Sequence, residues 1–211
     1  MIACIQTIPE RLWHAEEQVR EIVFPARPSG IEPVIYIDKA KVGPFKAFIE
    51  TLREVPSGDR YRLHMQDDIT YCDDFADYLP EVERIMRADD IPLLSLFAPR
   101  RKHMVEQNAK GKRIGTFPNF LWMQCVVMSP WLVEKLLERA DSYTDRHDDV
   151  YVSSVLYYYY KTAKVHLPSL VQHDITIPSS MKHANNDKRT SPLFDKDFVK
   201  KWKAGTLTQN Q

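Results

Sequence analysis

Short apolar runs alternate with longer amphipathic stretches along the first half of the chain. The apolar runs predict strands because they are rich in β-branched and aromatic residues and end at proline or at polar side chains: 2–8, 33–38, 61–66 and 91–99. The stretches between them, 12–23, 45–55 and 75–87, carry apolar residues at helical spacing and predict helices. This alternation predicts an α/β fold with a mostly parallel central sheet flanked by helices.

The second half continues the alternation after a basic interruption. The segment 100–113 is rich in Lys and Arg and poor in apolar residues, which predicts a long excursion rather than core structure. Further strands are predicted at 120–130 and 165–173, and further helices at 131–140 and from position 148 onwards. The end of the chain is polar and lysine-rich, with one weak helical pattern at 194–202. We therefore expect one domain over 1–185, followed by a polar tail over 186–211.

Composition adds constraints on compartment and partners. With 211 residues, of which 44% are hydrophobic, the chain is long enough to bury a core. Lys and Arg balance Asp and Glu at 29 each, so no whole-molecule charge attracts nucleic acid or membrane. The apolar start is only about five residues long, too short for a signal peptide or a membrane span, so we expect a soluble cytoplasmic protein. Three widely spaced cysteines predict buried, reduced thiols.

The first candidate site is an acidic pair where a predicted strand ends. Gln66, Asp67 and Asp68 follow the strand 61–66, and sheets of this kind bind ligands beyond the carboxyl ends of their strands. Adjacent carboxylates can hold a hard divalent cation that also binds phosphate oxygens, with Asp68 as the direct ligand. The alternative is a solvated turn in which an Asp caps the next helix.

A second acidic pair and a late histidine supply further candidates. Asp148 and Asp149 open a predicted helix, where one carboxylate could act as a general base; the alternative is an N-cap. His173 ends the strand 165–173 and could complete a metal site begun by Asp68, although a single His is more often structural. Three polar residues of the loop that follows suit phosphate oxygens: Ser179, Ser180 and Lys182.

The order of these motifs resembles the GT-A glycosyltransferases. The similarity covers about residues 1–185 and consists of a strand ending in QDD, a later strand W-x-Q-x-x-V-M-S, an acidic pair opening a helix, and the string PSLVQH before Ser-Ser. It implies a Rossmann-like GT-A catalytic domain. The acidic motif is QDD rather than a strict DXD, and the chain is short for the family, without a membrane anchor.

The resemblance also implies roles for individual residues. The loop after the first strand would hold the uracil and ribose of a UDP-sugar through Thr7, Pro9 and Arg11, with Asp38 at the end of the second strand. The QDD motif would bind the diphosphate and Mn²⁺ or Mg²⁺, with His173 as the carboxyl-terminal metal ligand. The base position resembles Asp148 or Asp149. Trp122 and Gln124 could line the sugar or acceptor pocket, with core packing as the alternative for Trp122.

The resemblance implies a metal-dependent hexosyltransferase, with inversion as the expected stereochemistry. The acceptor hydroxyl would belong to a saccharide or to a hydroxymethylated base in phage DNA, since compact members of the family occur in bacteria and phages. The basic segment 100–113 suits a polyanionic acceptor such as DNA, and a solvated loop is the alternative. If the chain is encoded by a phage, its compartment would be the cytoplasm of the bacterial host.

Two other functions compete with this interpretation. A metal-dependent phosphohydrolase or nuclease would use a cluster of acidic and histidine side chains: His64, Asp67, Asp68, His147 and Asp148. Hydrolases of the HD type are all-helical around their metals, whereas this chain predicts many strands. A non-catalytic nucleic-acid-binding module would use the segment 100–113 and the lysine-rich tail, and it gives the acidic pairs no role.

Overall fold

The fold is known from a computed structural model, which describes residues 1–23, 30–56, 58–99, 101–118, 120, 122–143, 147–177 and 190–206. The described residues form nine strands: β1 Ile2–Thr7, β2 Glu32–Ile37, β3 Arg62–Gln66, β4 Ile69–Tyr71, β5 Leu93–Ser95, β6 Ile114–Phe117, β7 Cys125–Met128, β8 Ala163–His166 and β9 Val171–His173. Seven of them make one sheet in the order β2-β1-β3-β7-β5-β8-β6, and β4 pairs with β9 in a second sheet.

Strand directions make the large sheet mostly parallel. β1 pairs in parallel with β2 and β3, and β5 pairs in parallel with β8. β7 lies antiparallel between β3 and β5, and β6 lies antiparallel to β8 at the edge. Five strands therefore run in one direction and two in the other. The predicted α/β class, with a mostly parallel sheet flanked by helices, is confirmed.

Seven α-helices are found among the described residues: α1 Leu12–Gln18, α2 Pro44–Glu54, α3 Phe75–Ala88, α4 Lys102–Ala109, α5 Pro130–Arg139, α6 Asp148–Tyr158 and α7 Phe198–Lys203. A π-helical turn, Val19–Val23, prolongs α1. Two core clusters follow from the alternation of side chains along the strands. Ala3 and Ile5 of β1 lie in the cluster that contains α3, whereas Val126 and Met128 of β7 lie in the cluster that contains α5 and α6.

Two predictions for the second half of the chain were wrong in part. The basic segment 100–113 is not a plain excursion, because it holds α4, whose Met104 is fully buried in the core. The predicted strand 165–173 is two strands in two different sheets, because β8 pairs with β5 and β6 whereas β9 pairs with β4. The edge strand β6 and the short strand β4 were not predicted at all.

Other expectations concern cysteines, the tail and membranes. All three cysteines are buried and unbonded, as predicted. Within the tail, α7 buries Phe198 and Val199, and Lys203 forms an ion pair with Asp74 at 3.0 Å. The boundary between domain and tail at 185 lies outside the described residues and stays a prediction. None of the described helices has the length and apolar character that crossing a bilayer requires.

A buried histidine in β3 makes the stability of the fold depend on pH. His64 is fully buried, its ring meets Phe48 edge-on at 5.1 Å, and neither ring nitrogen has a hydrogen-bond partner among the described residues. Burial, assisted by the nearby Arg62, lowers the pKa of His64 to about 3. Below about pH 6.5, His64 therefore binds a proton in the unfolded chain but stays neutral in the folded chain. Stability attributable to His64 is present above pH 6.5 and is lost as the pH falls below it.

We expect His64→Leu to remove this dependence. Between pH 7.5 and pH 5.0, the free energy of unfolding should fall by about 2 kcal/mol more in the original protein than in the variant. Urea unfolding of both proteins at the two pH values measures the difference, and any constant cost of repacking leucine cancels from it. An equal fall in the two proteins would show that His64 is not neutral in the folded state.

Candidate active site

Three parallel strands bring predicted site residues to one edge of the large sheet. β1 ends at Thr7, β2 is followed by Asp38, and β3 is followed by Asp67. The Asp38 backbone N–H donates to the Thr7 carbonyl at 2.8 Å, and the Thr7 hydroxyl donates to Asp67 Oδ2 at 2.5 Å. Asp38 in turn accepts a hydrogen bond from the Val42 backbone N–H at 3.0 Å. The ends of the three strands are therefore joined to one another.

A single arginine faces both carboxylates of the QDD motif. Arg11 belongs to the 3-10 turn Pro9–Arg11, which follows β1 directly and begins at a proline with its φ fixed. Arg11 Nη1 lies 3.0 Å from Asp67 Oδ1 and 3.5 Å from Asp68 Oδ2. These are ion-pair contacts without hydrogen-bond geometry at Nη1. Only 12% of the Arg11 side chain is exposed, so the contacts are largely shielded from water.

The small sheet places His173 against the same acidic pair. β4 and β9 pair with Ile69 opposite His173, and the Asp174 N–H donates to the Asp68 carbonyl at 2.9 Å. His173 Nε2 consequently lies 3.3 Å from Asp68 Oδ2. The imidazole is buried, and neither of its nitrogens makes a hydrogen bond within the described part of the chain. A buried imidazole facing a carboxylate in this way is suited to bind a ligand.

Desolvation has the largest effect on the pKa of Asp67. Burial raises the pKa of Asp67 to about 6, against the opposing effects of the Thr7 hydrogen bond and the Arg11 charge, and the neighbouring Asp68 raises it further. Asp67 and Asp68 are 3% and 5% exposed. Holding two carboxylates together in a site with so little water is costly, and such arrangements are concentrated at functional sites.

Gln18 is a site residue that the sequence interpretation missed. Its side-chain amide, buried on the inner face of α1, donates to the carbonyls of Gln66 and Ile69 at 3.3 and 3.4 Å. These bonds fix the backbone on both sides of the acidic pair. The available signal was a polar residue three positions after the buried Ala15, on the face of a helix that otherwise packs against the core.

The start of β7 connects the acidic motif to Trp122. The Gln66 N–H donates to the Gln124 carbonyl at 2.9 Å, and Gln124 is buried with its side-chain Oε1 unpaired among the described residues. Trp122 has a φ of 73°, which is unusual for a residue with a side chain. Its ring meets Phe97 edge-on at 6.2 Å, and the Arg101 guanidinium lies 5.8 Å from the ring centre. Trp122 thus packs on the core and also contacts the basic segment.

The second acidic pair lies in the first turn of α6. His147 is the N-cap residue and makes no side-chain capping bond, so neither Asp148 nor Asp149 is the N-cap that the alternative interpretation required. Asp149 is partly exposed, and its Oδ2 accepts from the Trp122 N–H at 3.0 Å. Asp148 is buried, and its Oδ1 accepts from the Asp149 N–H at 2.8 Å. Burial, with the adjacent Asp149 charge, raises the pKa of Asp148 to about 6.

Two described side chains at this edge could serve as metal ligands. Asp68 and His173 offer a carboxylate oxygen and an imidazole nitrogen 3.3 Å apart, and no group of three or more His, Cys, Asp or Glu residues suited to a metal is found in the described part of the chain. This fits a Mg²⁺- or Mn²⁺-type ion that takes its remaining ligands from substrate phosphates and water. It does not fit an all-protein metal cage.

Among the described residues, the side chains that a phosphohydrolase would use form no metal-binding group of three or more. His64 lies in the core against Phe48 rather than beside Asp67 and Asp68, and the large sheet is unlike an all-helical hydrolase. Other predicted site residues cannot be placed, because they lie outside the described residues: Ser179, Ser180, Lys182 and, in the basic segment, Arg100.

Comparison with known proteins shows the fold. No protein-family model and no curated protein matches the chain. The galactosyltransferase LgtC, solved in complex with donor and acceptor sugar analogues, aligns with a TM-score of 0.50 and 9% identity over 100% of this chain and 98% of that chain. The likeness to LgtC supports the GT-A type of α/β fold.

Two further solved structures have lower TM-scores. A protein described as a glucose-1-phosphate thymidylyltransferase from Bacillus anthracis, in complex with sucrose, aligns with a TM-score of 0.47 and 8% identity, covering 88% of this chain and 97% of that one. A197 from STIV aligns with a TM-score of 0.45 and 14% identity, covering 83% and 86%.

Proposed function

We propose that the protein is a metal-dependent glycosyltransferase that moves a sugar from a nucleotide-diphosphate sugar, with UDP as the expected nucleotide, to an acceptor hydroxyl. One observation carries the proposal. Asp67 and Asp68 meet Thr7, Arg11 and His173 at the carboxyl edge of the sheet, in a fold shared with a galactosyltransferase solved with donor and acceptor sugar analogues. Ligands of doubly wound sheets bind at this edge.

Different residues at this edge would bind different parts of the nucleotide sugar. Thr7 and Asp38 lie at the ends of neighbouring strands, where the nucleoside would bind. Arg11, which the resemblance assigned to the uracil and ribose, contacts the acidic pair and so would offer positive charge to the diphosphate instead. Asp68 and His173 would hold Mn²⁺ or Mg²⁺. When bound, this ion neutralises the charge that develops on the departing nucleotide diphosphate. Gln124, with its unpaired Oε1, and Trp122 would contact the sugar or the acceptor.

Asp149 is the better candidate for the base that deprotonates the acceptor. A base must lie within reach of the hydroxyl it activates, and Asp149 is the more exposed member of the pair. Its hydrogen bond to the Trp122 N–H connects it to β7 and so to the acidic motif. Asp148 is buried and would act on the reaction through Asp149. An opposed base of this kind suits inversion at the anomeric carbon.

The acceptor could be a saccharide or hydroxymethylated DNA. The contact between Arg101 and the Trp122 ring puts the basic segment beside the proposed sugar pocket, and Lys102, Lys110 and Lys112 are exposed. Clustered cations of this kind bind phosphate backbones independently of sequence. A DNA acceptor predicts that the transfer rate falls steeply with added salt, whereas a neutral saccharide acceptor predicts little change.

Nucleotide release from a panel of nucleotide sugars, with and without Mn²⁺, tests the proposal. Slow metal-dependent hydrolysis of one nucleotide sugar is expected, and adding the correct acceptor should accelerate it. Hydroxymethylated DNA and simple saccharides are the first acceptors to try. Release of inorganic phosphate without a sugar product would indicate a phosphohydrolase instead. Binding of nucleic acid with no metal-dependent binding of any nucleotide sugar would indicate a non-catalytic module.

A further inference from the structure

Arg11 is a cation placed where the proposed metal would have to bind. Its Nη1 contacts both carboxylates, at 3.0 Å from Asp67 Oδ1 and 3.5 Å from Asp68 Oδ2. The second of these oxygens is also the one that faces His173 Nε2 at 3.3 Å. A divalent cation held by Asp68 and His173 would therefore share its carboxylate oxygen with the guanidinium.

Within the described part of the chain, the guanidinium of Arg11 lacks hydrogen bonds at two of its nitrogens. Its Nε and Nη1 are buried and have no hydrogen bond of good geometry among the described residues, although Nη1 is within ion-pair distance of both carboxylates. A guanidinium normally makes several directed hydrogen bonds when it is buried. Arg11 thus neutralises the acidic pair by charge without being locked to it. No directed hydrogen bond to a described residue commits these two nitrogens to the carboxylates, so they can take an anion as a partner.

Charge balance makes the diphosphate the natural partner of this arginine. Two carboxylates and one guanidinium sum to a charge of −1, so a divalent cation alone would leave a shielded site at +1. The diphosphate of a nucleotide sugar, with one negative charge on each phosphate, returns the total to that of the metal-free site, and it offers Arg11 oxygens to bind. We infer that Arg11 makes tight divalent-cation binding depend on the diphosphate of the nucleotide sugar. This inference rests on the proposed function.

Mn²⁺ bound to the protein, measured by equilibrium dialysis so that Mn²⁺ complexed by the diphosphate alone is equal on both sides of the membrane and cancels, gives the dependence. Each protein is titrated alone, with UDP and with inorganic pyrophosphate, which tests the diphosphate without relying on the identity of the base. In the original protein we expect weak binding of Mn²⁺ alone and binding at least about tenfold tighter with either diphosphate. In Arg11→Gln, Mn²⁺ alone should bind about tenfold tighter than in the original protein, so the diphosphate dependence shrinks.

Matched variants separate charge from shape and locate the ion. Arg11→Lys retains the charge and should keep the diphosphate dependence, and Arg11→Met provides a second neutral variant if Arg11→Gln folds poorly. Arg20→Gln removes an exposed arginine that pairs with Glu16 at 3.8 Å, and it should change nothing. His173→Ala should weaken Mn²⁺ binding under both conditions, which assigns the measured ion to this site.

The outcomes distinguish the inference from the function on which it rests. Equal affinity for Mn²⁺ alone in the original protein and in Arg11→Gln overturns the role of Arg11, while diphosphate-dependent binding in the original protein keeps the transferase proposal. Tight binding of Mn²⁺ alone in the original protein also overturns the inference. If no protein binds Mn²⁺ with any diphosphate, both proposals are overturned.

Discussion

Asp68→Asn is expected to lower nucleotide release from the preferred nucleotide sugar by about 10²- to 10³-fold and to abolish Mn²⁺ binding. The amide keeps nearly the same shape but loses the charge, and one of its two terminal atoms no longer accepts. In the folded protein Asp68 Oδ2 faces His173 Nε2 at 3.3 Å and Arg11 Nη1 at 3.5 Å, so a single substitution disturbs both partners. Release rates and Mn²⁺ titration measure the two effects separately.

Asp174→Asn is the matched control for this prediction. Asp174 follows His173 directly, and its carboxylate accepts from the Thr176 N–H and hydroxyl at 2.8 and 2.6 Å, bonds that involve neither Asp67 nor Asp68. Its loss should leave both Mn²⁺ binding and release unchanged. His173→Ala should resemble Asp68→Asn in both measurements. Normal Mn²⁺ binding by a folded Asp68→Asn protein would show that the proposed ion does not bind at this carboxylate.

The α/β class could be predicted because apolar periodicity is a property of neighbouring residues. The run 2–8 is almost wholly buried, and the run 33–38 is mostly half-buried at the edge of the sheet; both have the apolar, β-branched residues that predict strands without knowledge of their partners. Segments whose structure depends on distant contacts were missed. β4 has only three residues and pairs with β9 a hundred positions later, and α4 is held to the core largely by the single buried Met104.

The location of the acidic pair in the fold could be predicted, but its contacts could not. Strand-end reasoning expected Asp67 and Asp68 at the carboxyl edge of the sheet, and they follow β3 at that edge; their role in a site stays a prediction. The ion pairs of Arg11 and the hydrogen bonds of Gln18 join residues about fifty positions apart, which no local pattern encodes. The positive φ of Trp122 was equally hidden, since no glycine or asparagine stands there to signal it.

The likeness in fold to LgtC, at only 9% identity, also follows from the pattern of apolar and polar positions. A mostly parallel sheet with helices on both faces requires a pattern of apolar and polar positions, and many unrelated residue choices satisfy that pattern. Chemistry requires particular side chains at a few strand ends. A fold of this kind can carry many different chemistries. The proposed function therefore depends on the acidic pair and His173 rather than on the fold.

Asp149→Asn is expected to lower the acceptor-dependent turnover, kcat, by about 10²- to 10⁴-fold, the usual range for loss of a general base. The amide oxygen can still accept from the Trp122 N–H, a bond of 3.0 Å that holds a backbone with φ of 73°. Binding of the nucleotide sugar should therefore change little, because Arg11, Asp67 and Asp68 are untouched. Steady-state kinetics with saturating nucleotide sugar and a separate measurement of its Kd separate the two effects.

Two neighbouring variants decide whether Asp149 acts as a base or as a support for Trp122. Asp149→Ala removes the base and the acceptor of the Trp122 N–H together, so it should also weaken binding of the sugar or acceptor. Asp148→Asn replaces a buried carboxyl whose pKa is already raised to about 6 by a neutral amide of the same shape, and it should cost less than about tenfold in kcat. If Asp148→Asn is the more damaging of the two amide variants, the base is Asp148, and Asp149 serves to hold the Trp122 backbone in place.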